Sequence, residues 1–111
     1  MSILGDREKA LENKHFHDEE NKFKVNTRRR KFLGMWAAES MHMEPEDSLE
    51  YALDIVRLGV EDPDGTKVRN KIMEDLKGAG IEVSEEEIRY KEEILDEKAA
   101  KQILEEVDGL R

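Results

Sequence analysis

RRRKFLGMWAAE, residues 28–39, sets four cations directly against an apolar run that holds the chain's single tryptophan. From there onward Phe32, Leu33, Trp36, Ala37 and Ser40 recur at the three-and-four spacing of a buried helix face. Upstream, half of residues 6–27 are charged and their apolar positions are sparse. The pattern predicts one helix with two unlike halves, a polar arm running into a packed body. Its start is placed near Gly5 or Asp6, where an aspartate can accept free backbone N–H groups and Glu8 complements the helix dipole. Its end is placed near Met41, which makes it roughly 36 residues or about 50 Å long. Gly34 costs about 1 kcal/mol relative to alanine inside a helix. The reading that justifies this cost is a neighbouring helix coming close beside Trp36.

Outside that helix, three more can be read between punctuation marks, and no stretch sustains the period-two alternation of a strand. Pro45 opens the second, where a missing N–H is tolerated, and Leu49, Ala52, Leu53, Val56 and Val60 are read as its inward face, with Gly59 helping to stop it. The EDPDG run, residues 61–65, signals a turn. Val68, Ile72, Leu76 and Ala79 then line a third helix that Gly78 and Gly80 end. The fourth begins at a capping box, Ser84 with Glu87 three residues on, stapled by Val83 and Ile88. Ile88, Leu95, Ala99, Ile103 and Val107 supply its inward face. Short connections imply antiparallel neighbours, so the expected fold is all-α, a four-helix bundle whose long first helix extends into an N-terminal arm. The 111 residues form one helical domain, with an arm at 1–25 and a bundle body at 26–111.

Composition supports helices with solvated faces: 42% of residues are charged, 37% hydrophobic and 5% aromatic. A formal charge of −9 argues against general binding of nucleic acid or anionic membrane, which needs surplus cations. The same charge favours a monomer in isolation. There is no cysteine, so disulfides and thiolate metal sites are excluded and a reducing cytoplasm is compatible. No apolar run approaches the roughly 20 residues of a membrane span, and the N-terminal MSILGDREK lacks a signal-peptide core. The chain reads as a soluble protein.

Chemistry is poorly served. His15 and His17, two residues apart, diverge by about 200° on a helix and cannot jointly grip a metal. His15 and Glu19 share a face, but with no further ligand anchored the pair reads as solvated. The serines serve as terminus, helix face or caps, and no glycine-rich loop cradles a phosphate. No enzyme, cofactor or metal is therefore expected. The basic cluster, residues 28–31, could bind a phosphate, and a helical regulator of nucleotides or small molecules is the alternative function. Pairing along its own helix with Glu20, Asn21 and Thr27, or with acidic helices behind it, explains the cluster better.

The arm is more suggestive. Leu4, Leu11, Val25, Phe32 and Trp36 fall on one broad face, whereas Phe16 and Phe23 fall on another, seven residues apart. These two aromatics either fold back on the fourth helix or anchor the arm to a partner, as a helix laid into a groove.

DREKALENK, then HDEE, FK, RR and KFLGMWAAE together resemble the ζ subunit of alphaproteobacterial F1F0-ATPases, a family of ATPase inhibitors, over essentially the whole chain. The resemblance implies a non-catalytic regulator that blocks ATP hydrolysis by the F1 sector. Its N-terminal region would be mobile when free and would fold as a helix when wedged at a catalytic α/β interface near the central γ stalk, with the bundle anchoring it from outside. The wedge would obstruct rotation in the hydrolysis direction and be expelled in the synthesis direction. The subunit would sit on the cytoplasmic side of the inner membrane, peripheral to it, with α, β and γ as partners. Mapped onto this chain, the contact candidates are Asp6, Arg7, Glu8, Leu11, Phe16, His17, Asp18, Glu19, Phe23, Arg28 and Arg29. His15 and His17 lie in that arm, where an ordinary imidazole titrates near pH 6.5, so their charge would tune docking.

Overall fold

The computed structural model describes residues 19–109, which form four helices and, among the described residues, no strand. They are α1 (Glu19–Ser40), α2 (Pro45–Gly59), α3 (Thr66–Gly78) and α4 (Glu85–Gly109). The fold is the expected all-α bundle. The predicted start of the first helix lies outside the described residues, and its end falls at Ser40.

Apolar side chains from all four helices make the main core: Leu33 and Ala37 of α1, Ile55 of α2, Val68, Ile72 and Leu76 of α3, and Ile88 and Leu95 of α4. Phe32 and Trp36 pack against it half-buried. Burying each of the larger aliphatic side chains contributes about 1.5–3 kcal/mol. The predicted seams of α1, α3 and α4 therefore face the core, with one exception. Ala79 lies just past the end of α3, where the chain turns, and is exposed.

The predicted face of α2 is corrected: of its five residues only Ala52 is buried, with Val56 half-buried. The buried stripe of the helix is Ser48, Ala52, Ile55 and Gly59, whereas Leu49, Leu53 and Val60 are exposed. The reason is the closeness of α1. A Cβ placed on Gly34 would stand 2.7 Å from the Cα of Ala52 and 3.2 Å from the Cβ of Ile55. Backbones this near need small residues at the crossing, so the stripe that sets Ser48, Ala52 and Gly59 around Ile55 turns inward. At the far end of the same crossing, the Arg30 side chain occupies the space that a side chain on Gly59 would need. Because 34 meets 52 and 30 meets 59, α1 and α2 run antiparallel.

Helix ends are set by local chemistry. The Ser84 hydroxyl accepts the Glu87 N–H at 3.1 Å and donates to the Glu87 carboxylate at 3.3 Å, which realises the predicted cap. Asp62, buried in the turn, accepts the Lys67 and Val68 N–H groups at 3.1 and 2.9 Å and so caps α3 from four residues upstream. The α1 and α3 C-termini close with the same pair of bonds. Met43 N–H donates to Ala38 and His42 N–H to Glu39, while Ile81 N–H donates to Leu76 and Gly80 N–H to Lys77. The left-handed residue that this closure requires is Gly80 in one case (φ 82°) and His42 in the other (φ 59°).

Candidate partner-binding site

The N-terminal half of α1 is the described part of the predicted arm and its root. Val25 is buried against Ala99 and Ile103 of α4, with Phe32, Ala100 and Val107 around them. This small cluster lies beside the main core, and Phe32 packs against both. Ionic contacts flank it. Arg28 Nη1 donates to Glu106 Oε1 at 2.7 Å and to Gln102 Oε1 at 3.3 Å. Arg29 Nη1 donates to Asp96 Oδ1 at 2.7 Å and to Asn26 Oδ1 at 2.8 Å. Lys98 lies 4.5 Å above the Phe32 ring and Lys91 lies 5.7 Å from the Trp36 ring. As numbers rise along α1 they fall along α4, so this pair is antiparallel too. With partners this exposed, each ion pair contributes on the order of 0–1 kcal/mol, and the clasp as a whole is modest.

The basic cluster is thus largely committed internally. Arg30, beside Gly59 and half-buried, has its pKa lowered by burial and by the neighbouring Arg29 charge, with Asp62 opposing. Lys31 is exposed, and Lys24 pairs with Glu20 at 3.6 Å along the helix.

Of the predicted contact residues, Glu19, Phe23, Arg28 and Arg29 lie in α1, whereas Asp6, Arg7, Glu8, Leu11, Phe16, His17 and Asp18 lie outside the described residues, as does His15. Phe23 is 61% exposed and does not fold back on α4. It shares a helix face with Arg30, two turns away. That face is covered by α2 from Arg30 onward, and α2 ends at Gly59, against the Arg30 side chain. Phe23 therefore projects beyond the end of the helix that would have covered it. Arg28 and Arg29 instead point to α4, away from that face.

The expected pairing of the cluster with an acidic helix behind it is found at α4, although the partners Asp96, Gln102 and Glu106 were not anticipated individually. Their signal was present: all three flank Ala99 and Ile103 at helical spacing, and Asp96 and Glu106 are opposite in charge to the basic cluster. Arg69 was also missed. Buried between helices, it donates to Glu92 Oε1 at 3.1 Å and to the Asp64 carbonyl at 2.7 Å, tying α3, its preceding turn and α4 together. The remaining surface offers shallow, open grooves, one near Met73, Val83 and Glu87 and another near Arg69, Glu92 and Asp96. Among the described residues, no group of three or more His, Cys, Asp or Glu side chains could hold a metal ion. Nor is any helix among them long and apolar enough to cross a membrane.

Comparison with curated proteins and with solved structures finds no match for the chain. A family model described as ATPase inhibitor subunit zeta matches residues 1–102. That span takes in the whole of α1, α2 and α3 and most of α4. With nearly its full length matched, and with the bundle and basic-to-tryptophan seam in place, the chain belongs to the ATPase inhibitor subunit zeta family.

Proposed function

We propose that the protein restrains ATP hydrolysis by an F1F0-ATPase, with residues 1–25 entering a catalytic α/β interface of F1 near γ and residues 26–111 carrying that arm as a rigid body. The observation that most favours this reading is Phe23, an aromatic held outside the bundle on a helix whose other half is locked into the core. A large apolar ring on a pre-ordered helix is a low-entropy anchor for a hydrophobic groove. Asp6, Arg7, Glu8, Leu11, Phe16, His17, Asp18 and Glu19 continue the contact toward the N-terminus, with Arg28 and Arg29 at its root. Seated there, the arm obstructs rotation in the direction of hydrolysis and is released in the direction of synthesis. The working location is the cytoplasmic face of the inner membrane, peripheral at F1, and the free protein is a monomer. A nucleotide-binding regulator finds less support, because Arg28 and Arg29 already engage α4.

The test follows both directions of coupled F1F0 in membrane vesicles as the protein is titrated in. Hydrolysis should fall to a residual level while synthesis is retained. Equal loss of both would contradict a directional wedge, and loss of neither would contradict the function. Phe23→Ala should raise the half-inhibitory concentration about 30-fold, the equivalent of a hot-spot loss of about 2 kcal/mol.

A further inference from the structure

Leu49, Leu53, Val56 and Val60 fall within about 60° of one another around α2 and run about 16 Å along it. Leu49 is 44% exposed, Leu53 38% and Val60 66%, and Val56 is half-buried. Single apolar side chains on a surface are ordinary, but four in a row on one helix face are not. The fold makes little use of this row. Its own contact with α1 is the neighbouring stripe of Ser48, Ala52, Ile55 and Gly59, about 100° away around the helix.

Beside the row stand Glu46, Glu50, Asp54 and Glu61, all exposed. The one cation of α2, Arg57, is bound to Asp54 at 2.7 Å. An apolar row with an acidic border repels phosphate surfaces, so neither nucleic acid nor an anionic membrane suits it. A second copy of the chain would set one acidic border against another. Its complement is an apolar ridge or groove bordered by lysine and arginine.

We propose that the outer face of α2 is a second docking surface, and that its occupant is a basic-rimmed apolar patch on the ATPase. This rests on the reading of the protein as an ATPase inhibitor and extends it: the arm blocks, and α2 holds. Two contacts on one chain raise affinity through effective concentration, without either being strong alone.

The experiment uses the full chain and purified F1, with binding followed by anisotropy of a fluorescent label and hydrolysis measured in parallel. Leu49→Ser combined with Leu53→Ser and Val60→Ser should weaken binding at least 10-fold and raise the half-inhibitory concentration equally, while saturating protein still inhibits fully. Glu50→Lys combined with Glu61→Lys should also weaken binding at low salt. These exposed changes leave the core alone, and the variant serves if the serine variant fails to fold. Its binding should fall less steeply with salt than that of the wild type. Both variants binding as the wild type does would overturn the proposal. So would a wild-type dimer that the serine variant dissociates, since a second copy would then cover the face. Wild type that binds without inhibiting, with weaker binding by both variants, would support the α2 surface and overturn the arm reading instead.

Discussion

Gly34 and His42 test the packing one atom at a time. Helix propensity alone would favour alanine at 34 by about 1 kcal/mol. The added Cβ would stand 2.7 Å from the backbone of Ala52, however, and α2 would have to shift. Overpacking of this kind costs about 1–3 kcal/mol. Gly34→Ala should therefore destabilise the protein by up to about 2 kcal/mol net, seen as a lower urea midpoint at unchanged m. His42 has the opposite sign. It holds a left-handed conformation that Gly80 holds in the equivalent closure of α3, so His42→Gly should stabilise the protein by about 0.5–1 kcal/mol and raise the midpoint. Tyr51 predicts a dependence on pH. Burial, the 2.7 Å hydrogen bond it donates to Asp75 and the charge of Asp75 all raise its pKa above the ordinary phenol value. The folded chain thus keeps this proton where the unfolded chain, titrating near pH 10, loses it. The contribution is fully present below about pH 10 and is lost as pH rises from there toward the folded-state pKa. Tyr51→Phe should cost about 1 kcal/mol at neutral pH and flatten the decline in thermal stability between about pH 9 and pH 11. Parallel declines in the two proteins would contradict the assignment.

Among the elements, α1 divides at Phe32. Its C-terminal half contributes Leu33, Ala37 and Ala38, all nearly inaccessible, whereas its N-terminal half is held by Val25 and two half-exposed ion pairs. Local opening should follow that division. Amide exchange of residues 21–30 should be faster than that of residues 33–38, and Arg28→Ala with Arg29→Ala should speed the first group and leave the second nearly unchanged. Uniform protection along α1 would contradict a separate clasp. The types of the described helices, the starts of α2 and α4 and the end of α3 were legible in the sequence because punctuation is local chemistry: Pro45, the Ser84 to Glu87 box and Gly80 each act within a few residues. Seams were legible where large apolar residues meet, as in α3 and α4. On α2 the same rule held only at Ala52, because burial there is decided by backbone approach at Gly34, which favours the stripe of small residues around Ile55 over the leucines. Phe23 was legible as an aromatic off the main seam. The choice between folding back on α4 and standing exposed was open in the sequence, since it depends on where α2 stops. Asp62 read as part of a turn, and its capping of α3 becomes visible only once the turn has a shape.

At the scale of the molecule, a chain with a net charge of −9 keeps its most basic stretch pinned against α4 and carries an exposed phenylalanine, Phe23, on the projecting half of α1. The proposed mechanism assigns body and arm separate tasks: the body supplies position and the arm supplies the block. The described residues contain the main core and the smaller cluster at α4, so a chain lacking residues 1–18 should keep the described helices, as its helical signal and melting would show. The most direct measurement is ATP hydrolysis by F1 from the same source, titrated with the full chain and with a chain lacking residues 1–18. The full chain should inhibit and the shortened one should not, even though the shortened chain keeps its helical signal and cooperative melting. Equal inhibition by both would contradict the division of tasks and place the inhibitory element in the bundle.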